Sequence, residues 1–290
     1  MAEFREIPTP TYEYETATIV RYYEEALRQI GRELERIHVT DVQRAHMLAV
    51  QKEIAGILTE LDEKASAWVA ANIPVAAEDG VIRTIVSLGV VDTVAEARKI
   101  VEFNRLNRDF IETAIADTQD DLLQISQNVS RKVRTAIREV TAESIRSNLT
   151  KGINASDPIK RDIVAELRKR LGDSINTGII DASNRRWNPK IYAEMVVRTK
   201  MAQTQRETAI NEALGRDANY GIISSHGAKD ACRNWEGKIV KMTPDADGDF
   251  PYVGALPRRE IFHPNCRHVV TALRRPERLP DRLRQLNNIE

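Results

Sequence analysis

The sequence predicts an α+β protein in which a mainly helical N-terminal half precedes a small α+β domain with a few short strands. Residues 90–151 contain no glycine or proline, and their apolar residues recur at spacings of three and four, which is typical of long amphipathic helices. Beyond residue 151, glycine and proline return and short β-branched runs alternate with helical patterns. This change in pattern predicts two domains, residues 1–150 and 151–290.

The first half opens with an extended, proline-containing arm, followed by a predicted helix over residues 15–38. Apolar residues in this helix recur at helical spacing along one face. Thr40 begins a capping box, in which its side chain accepts a hydrogen bond from an amide at the start of a second helix. We expect this second helix to end before Pro74, because proline disfavours the helical conformation in the residue that precedes it.

A shorter element is predicted over residues 81–88, between Gly80 and Gly89. A second capping box, Thr93–Glu96, then starts a new helical pattern. This pattern continues with slips to about residue 140, which predicts two or three long helices packed as a bundle or hairpin. Such an acidic, helical region without clustered ionisable groups is expected to serve as a scaffold or docking surface.

The second half mixes helices with short strands. Pro189 suits the first turn of a helix, where the missing amide donor costs nothing. The predicted elements are a helix over 158–171, a strand over 175–181, a helix over 189–214, strands over 220–224, 238–242 and 268–272, and a short helix near the C-terminus. Together they predict a small α+β domain.

Composition limits the classes of protein that fit the chain. The 290 residues include 42% apolar and 30% charged residues, and no run of about 18 apolar residues occurs, so no membrane span is expected. Two cysteines exclude a disulfide scaffold. Residues 1–130 contain 13 Lys and Arg against 23 Asp and Glu, and the remainder carries the opposite excess. The basic part either faces an anionic partner or is a solvated surface.

The strongest chemical signal lies in the segment 225–268, which contains both cysteines and three of the five histidines. A tetrahedral zinc site takes four soft ligands from cysteine and histidine. The ligands predicted for such a site are Cys232, His263 and Cys266, together with His226 or His268. The alternatives are a disulfide between the two cysteines and buried polar side chains that bond to the backbone.

Arginines cluster towards the C-terminus without interleaved aromatic residues. Such side chains contact DNA phosphates without reading sequence, or meet an acidic patch on a partner protein. The residues predicted to make these contacts are Arg258, Arg259, Arg274, Arg275 and Arg278.

Five blocks in a fixed order resemble the tailed-phage minor capsid proteins, in particular the phage minor capsid protein 2 group and, more distantly, the Mu F-like head morphogenesis proteins. The blocks lie at 181–187, 192–199, 224–227, 232–239 and 262–268. The chain has Asn184 where relatives often have glycine, and Lys229 where many have the first cysteine of a Cys-x-x-Cys pair. The structural residues that this resemblance implies are Asp181, Arg185, Trp187, Arg198, Thr199, Trp235 and Gly237.

The resemblance implies a structural minor head protein with no enzymatic activity. Such a protein is made in the bacterial host cytoplasm and resides in the virion, inside the capsid near the portal vertex. Its implied partners are the portal protein, other capsid and head proteins, and packaged double-stranded DNA, bound non-specifically. Its implied roles are head assembly and DNA passage or ejection. The alternative is an ADP-ribosyltransferase-like or nuclease effector enzyme carried in the particle.

Overall fold

The computed structural model describes residues 7–35, 44–151, 165–166, 168–172, 179–180 and 184–289. Its main helices are α1 (Glu13–Glu35), α2 (Arg44–Ser87), α3 (Val94–Ile100), α4 (Arg105–Lys151), α5 (Pro189–Leu214) and α6 (Asp281–Leu286). Its strands are β1 (Ile179–Ile180), β2 (Arg186–Trp187), β3 (Tyr220–Ile223), β4 (Ile239–Lys241) and β5 (Val270–Leu273). Helices dominate the N-terminal part and short antiparallel strands follow, which confirms the predicted α+β class.

The chain forms two compact units. The first unit contains Met1–Glu13, Val69–Thr118 and Val197–Glu290, and the second contains Tyr14–Trp68 and Gln119–Val196. The predicted domain boundary at residue 150 rests on composition and stays a prediction.

Helix α1 confirms the prediction within the described residues. Its apolar stripe is buried in the second unit, where Ile19 and Ile30 are fully inaccessible to solvent. The hydroxyl of Tyr23 donates to the carbonyl of Leu122 on α4 (3.4 Å). The stripe therefore buries one face of the helix, as helical spacing requires. The capping box predicted at Thr40 lies outside the described residues.

Helix α2 continues through Pro74 to Ser87, so the prediction that it ends before this proline is wrong. The separate element predicted over 81–88 is mostly the C-terminal part of the same helix. A proline in a helix interior costs about 3 kcal/mol. Ile73 and Ala76, which lie on either side, are fully buried, and burial of one isoleucine side chain contributes about 1.5–3 kcal/mol. Packing therefore outweighs the local preference.

Helix α2 is followed by a glycine in the left-handed conformation, which terminates it. Gly89 has φ 66°, its amide donates to the carbonyl of Val86 (3.0 Å), and the amide of Val90 donates to Ile85 (3.1 Å). These two bonds form a Schellman motif, which satisfies carbonyls that lack partners within the helix. The predicted end at Gly89 is therefore close to the observed one.

Helix α3 begins with the capping box predicted at Thr93. The Thr93 hydroxyl accepts from the amide of Glu96 (3.2 Å), whose carboxylate accepts from the amide of Thr93 (3.1 Å). One long helix, α4, follows α3, so the prediction of two or three long helices is wrong: α3 is short, and α4 meets no glycine or proline. Among the described helices, none has an apolar stretch that would cross a membrane.

Helices α2 and α5 contact each other closely within the first unit. A Cβ at Gly80 would overlap the Thr208 hydroxyl and the neighbouring α5 backbone. The Thr208 hydroxyl lies 3.0 Å from the carbonyl oxygen of Ala77 and 2.9 Å from that of Thr204. The Thr84 hydroxyl lies 3.3 Å from the carbonyl oxygen of Ala209 and 2.9 Å from that of Gly80. Both buried hydroxyls therefore have a carbonyl acceptor within reach on the other helix as well as on their own.

The predicted strands of the C-terminal region form a three-stranded antiparallel sheet in the order β4–β3–β5. Tyr220 on β3 pairs with Lys241 on β4 and with Leu273 on β5. The predicted ends are shifted by one or two residues. Helix α5 has the predicted bounds, and α6 is the short helix expected near the C-terminus.

A second, two-stranded sheet pairs β1 with β2. The strand predicted over 175–181 overlaps β1, and its residues 175–178 and 181 lie outside the described part. Asn184, which precedes β2, has φ 60°. Asparagine tolerates this left-handed conformation better than most residues, so position 184 does not require a glycine. Residues 165–166 and 168–172 are helical, within or beside the helix predicted over 158–171.

Candidate functional site

The cysteine- and histidine-rich segment 225–268 lies in the first unit, beside the three-stranded sheet. A 3₁₀-helix, Ala231–Trp235, carries Cys232. Asp230 caps this helix, because its carboxylate accepts from the amide of Cys232 (3.1 Å). The cap fixes the position at which the first thiol enters the core.

A tight turn presents the second thiol. Phe262 and Asn265 have φ values of 57° and 65°, and the amide of Cys266 donates to the carbonyl of His263 (2.9 Å). This turn brings His263 and Cys266 towards the same point. The chain then enters β5, which fixes the end of the segment in the sheet.

Three of the predicted ligands converge. The sulfur of Cys232 lies 3.1 Å from Nε2 of His263 and 3.8 Å from the sulfur of Cys266. All three atoms lie within 4.8 Å of one another. Both thiols are buried and free of a disulfide. The structure therefore brings together the pair from the turn and the cysteine from the 3₁₀-helix.

His268 connects this cluster to a carboxylate. Its Nδ1 lies 3.3 Å from the sulfur of Cys266, and its Nε2 lies 3.2 Å from Oε1 of Glu236. The ring of His226 is tilted by 36° against that of His268, with centroids 4.1 Å apart. His226 is thus close to His268 and Glu236, and these three form a second group of possible ligands.

Burial and hydrogen bonds set the charges of these groups. Burial raises the pKa of the Cys232 thiol, and the neighbouring Cys266 raises it further. Burial also lowers the pKa of His268, as does His226, while Glu236 acts in the opposite direction. Burial tends to raise the pKa of Glu236, but two backbone amides and His268 outweigh it and hold the pKa at about 2. The Glu236 carboxylate is therefore ionised beside the neutral imidazole of His268, and the thiol of Cys232 is protonated.

Sequence reasoning did not predict Asp230 and Glu236, whose carboxylates contact the two histidines of the cluster. Besides capping Cys232, Asp230 places Oδ2 3.2 Å from Nε2 of His263. Glu236 also accepts from the amides of His226 (2.9 Å) and Ala228 (3.0 Å). The sequence signal that could have found them is their spacing, since Asp230 lies two positions before Cys232 and Glu236 lies four positions after it.

The family-motif residues before α5 contact one another where they are described. The guanidinium of Arg185 lies over the ring of Trp187, 5.3 Å from its centroid. Trp187 in turn meets Tyr192 edge to face, with centroids 6.1 Å apart. Asp181 lies outside the described residues. The structural roles predicted for Arg185 and Trp187 stay predictions, supported by these contacts.

The remaining motif residues lie in the first unit, near the cluster in sequence or space. Thr199 accepts from the amide of Asn265 (3.2 Å), in the turn that carries Cys266. Trp235 donates from Nε1 to Glu260 (3.2 Å). Gly237 has φ 73°, which favours glycine at this position. Arg198 is half-buried on α5.

The predicted contact arginines differ in their surroundings. The guanidinium of Arg274 donates to the carbonyls of Leu88 (3.2 Å) and Arg216 (3.3 Å), so this side chain closes the end of α2. Arg274 is exposed all the same, as are the other four, Arg258, Arg259, Arg275 and Arg278. Their contacts with DNA or a partner stay predictions, as does the enzymatic alternative.

Comparison with known proteins identifies the family. The family model described as phage minor capsid protein 2 matches residues 20–288. No curated protein and no solved structure matches the chain. The family implies a structural component of the virion that interacts with other head proteins. Since the match covers nearly the whole chain, the protein belongs to the phage minor capsid protein 2 family and is a minor capsid protein of a phage.

Proposed function

We propose that this minor capsid protein lies on the capsid interior at the portal vertex and acts in head assembly and DNA passage. The helical N-terminal region binds the portal protein or other head proteins. The basic C-terminal region faces packaged DNA. Membership of the capsid family supports the first part of this proposal, and the distribution of charge supports the second.

The uneven charge is the observation that carries the proposal. Residues 1–130 have ten more acidic than basic residues, and residues 131–290 have ten more basic than acidic ones. DNA repels the acidic region and attracts the basic one. Both stretches contribute to each compact unit, so the contact with DNA depends on where the basic side chains are exposed and not on a separate basic domain.

Quantitative mass spectrometry of gradient-purified particles tests the location. We expect the protein at a few to a few tens of copies per particle, with the portal and major capsid subunits as internal standards. Cross-linking of intact particles should join it to the portal more often than to the major capsid protein. Absence from particles that contain both standards contradicts the proposal.

Protease treatment tests the interior position. We expect the protein to survive in intact particles and to be cleaved after the heads have been opened. An exposed tail or capsid-surface protein of the same preparation is the control for protease activity. Cleavage in intact, DNA-filled particles would place the protein on the outside.

A further inference from the structure

We infer that Cys232, His263, Cys266 and His268 form a structural Zn²⁺ site that fastens the C-terminal sheet to its loops. The sequence alone is compatible with five zinc ligands, with a disulfide, and with buried polar side chains that only pack. The ligand atoms of Cys232, His263 and Cys266 lie within 4.8 Å of one another, and Nδ1 of His268 joins this group through its contact with the sulfur of Cys266. The structure also supplies the outer hydrogen bonds that a metal-binding histidine needs.

The sulfur separation fits tetrahedral coordination. With Zn–S bonds of about 2.3 Å, a tetrahedral ion holds two sulfurs about 3.8 Å apart. The sulfurs of Cys232 and Cys266 are 3.8 Å apart. A disulfide bond needs about 2.05 Å, so the same pair would have to move together substantially.

The sulfur–nitrogen distances are slightly shorter than in a metal site. Zn–S and Zn–N bonds of about 2.3 and 2.0 Å give S···N separations of about 3.5 Å. Cys232 and His263 are 3.1 Å apart, and Cys266 and His268 are 3.3 Å apart. Each pair therefore separates by only a few tenths of an ångström when the ion replaces the thiol protons.

The outer hydrogen bonds fix both imidazoles. Nδ1 of His263 lies 2.9 Å from the carbonyl oxygen of Pro264, which accepts a hydrogen bond when the ring carries its proton on Nδ1. Nε2 of His268 lies 3.2 Å from the carboxylate of Glu236 and donates to it. Nδ1 of His268 then faces the sulfur of Cys266 with its lone pair. Nε2 of His263 lies 3.1 Å from the sulfur of Cys232 and 3.2 Å from the Asp230 carboxylate, and it is available to a metal in the tautomer that carries the proton on Nδ1. Backbone carbonyls and carboxylates orient zinc-bound histidines in this way.

Charge balance favours the same four ligands. Each thiol loses its proton to solvent, so two thiolates and two neutral imidazoles offset the two charges of Zn²⁺ and leave a neutral buried site. Asp230 is the competing fourth ligand, since its Oδ2 lies 3.2 Å from Nε2 of His263. However, its side chain is largely exposed, and its other oxygen caps Cys232. His268 is buried and has its outer partner in place.

Metal analysis of the full-length protein provides the test. We expect one zinc ion per chain after purification without added metal. Co²⁺ titrated into the chelator-treated protein should give the absorption of a tetrahedral site with thiolate ligands. Removal of the metal should lower the unfolding midpoint by roughly 5 °C or more, and Zn²⁺ should restore it.

Variants separate the ligands from their neighbours. We expect Cys266→Ser and His268→Ala each to lower Co²⁺ affinity at least tenfold and to alter its absorption. The matched control is His226→Ala, which removes the histidine that stacks on the site, and Asp230→Asn tests the competing ligand. Both should keep one ion per chain with an unchanged spectrum.

Three outcomes overturn the inference. Two free thiols with no stoichiometric Zn²⁺ or Co²⁺ uptake show that the cluster only packs the core. A Cys232–Cys266 disulfide in protein taken from particles shows that the thiols serve a redox-formed crosslink. A cobalt spectrum lost in Asp230→Asn but kept in His268→Ala shows that the fourth ligand is wrong. The wild-type measurement decides the first two even if a variant fails to fold.

Discussion

Asp62 is a carboxylate whose burial the protein does not fully compensate. One of its oxygens is buried and has no hydrogen-bond partner among the described residues. Burial raises its pKa, and the nearby Ser126 hydroxyl acts in the opposite direction. The folded protein therefore binds this proton more tightly than the unfolded chain. The stability that the neutral form provides is present at acidic pH and is lost as pH rises through the folded-state pKa.

Asp62→Asn keeps the shape and removes the charge, so we expect it to raise the free energy of unfolding by about 1 kcal/mol at pH 7. The gain should shrink towards zero near pH 4, where the carboxyl is increasingly protonated in both states. Denaturant unfolding at the two pH values measures this. The control is Asp120→Asn, an exposed position on α4, which should change stability by less than about 0.5 kcal/mol. Destabilisation by Asp62→Asn at pH 7 would contradict the prediction.

At this scale the sequence predicts residue types but not their orientation. It identified the cysteines and histidines of the cluster, because their concentration in one segment is visible in the sequence. It did not identify Glu236, whose carboxylate is held by amides that follow β3 and meets His268 across 32 positions. Such a contact arises from strand pairing, and local spacing does not encode it.

The close contact between α2 and α5 depends on the absence of a side chain at Gly80. A Cβ at Gly80 would overlap the Thr208 hydroxyl and α5 backbone atoms, whereas at Gly56, on the same helix, it would meet nothing within 4 Å. Glycine lowers helix stability by about 1 kcal/mol relative to alanine where space is free. Overpacking a tight contact costs about 1–3 kcal/mol.

The same substitution should therefore have opposite effects at these two positions. We expect Gly80→Ala to lower the free energy of unfolding by about 1–3 kcal/mol and Gly56→Ala to raise it by up to about 1 kcal/mol. Thermal unfolding of the two variants beside the wild type measures both signs. Equal stabilisation by the two alanines would show that α2 and α5 do not approach closely at Gly80.

Helix boundaries show which local signals survive packing. The capping box at Thr93, the glycine stop at Gly89 and the proline start of α5 all act within one turn, and all three appear as predicted or within two residues. Pro74 is also a local signal, but buried apolar neighbours hold its helix together. Gly80 looked like a boundary for a similar reason, while its structural role is close contact with a helix more than a hundred residues away. Sequence spacing gives no measure of such long-range packing.

For the whole molecule, the exposed arginines near the C-terminus lead to a prediction that the family alone does not make. Four exposed arginines, Arg258, Arg259, Arg275 and Arg278, lie in the first unit and in the basic region. If they face DNA, each phosphate contact contributes to the salt dependence of binding, with a slope in log K against log salt of about 0.9 per contact. If only the net charge of the protein attracted DNA, the loss of arginines at any position would change the slope equally.

We therefore expect the full-length protein to bind double-stranded DNA without sequence preference, and changing all four arginines to glutamine to weaken binding at low salt by at least tenfold. The salt slope should fall by about three to four, which fluorescence anisotropy at several salt concentrations measures. The matched control changes four exposed arginines on α1 and α4 to glutamine, namely Arg21, Arg28, Arg32 and Arg105. It alters net charge equally and should leave the slope unchanged. Equal losses in both variants would mean that overall charge attracts DNA. If the wild type does not bind DNA, then DNA is not a partner, and the contacts with head proteins are still tested by cross-linking.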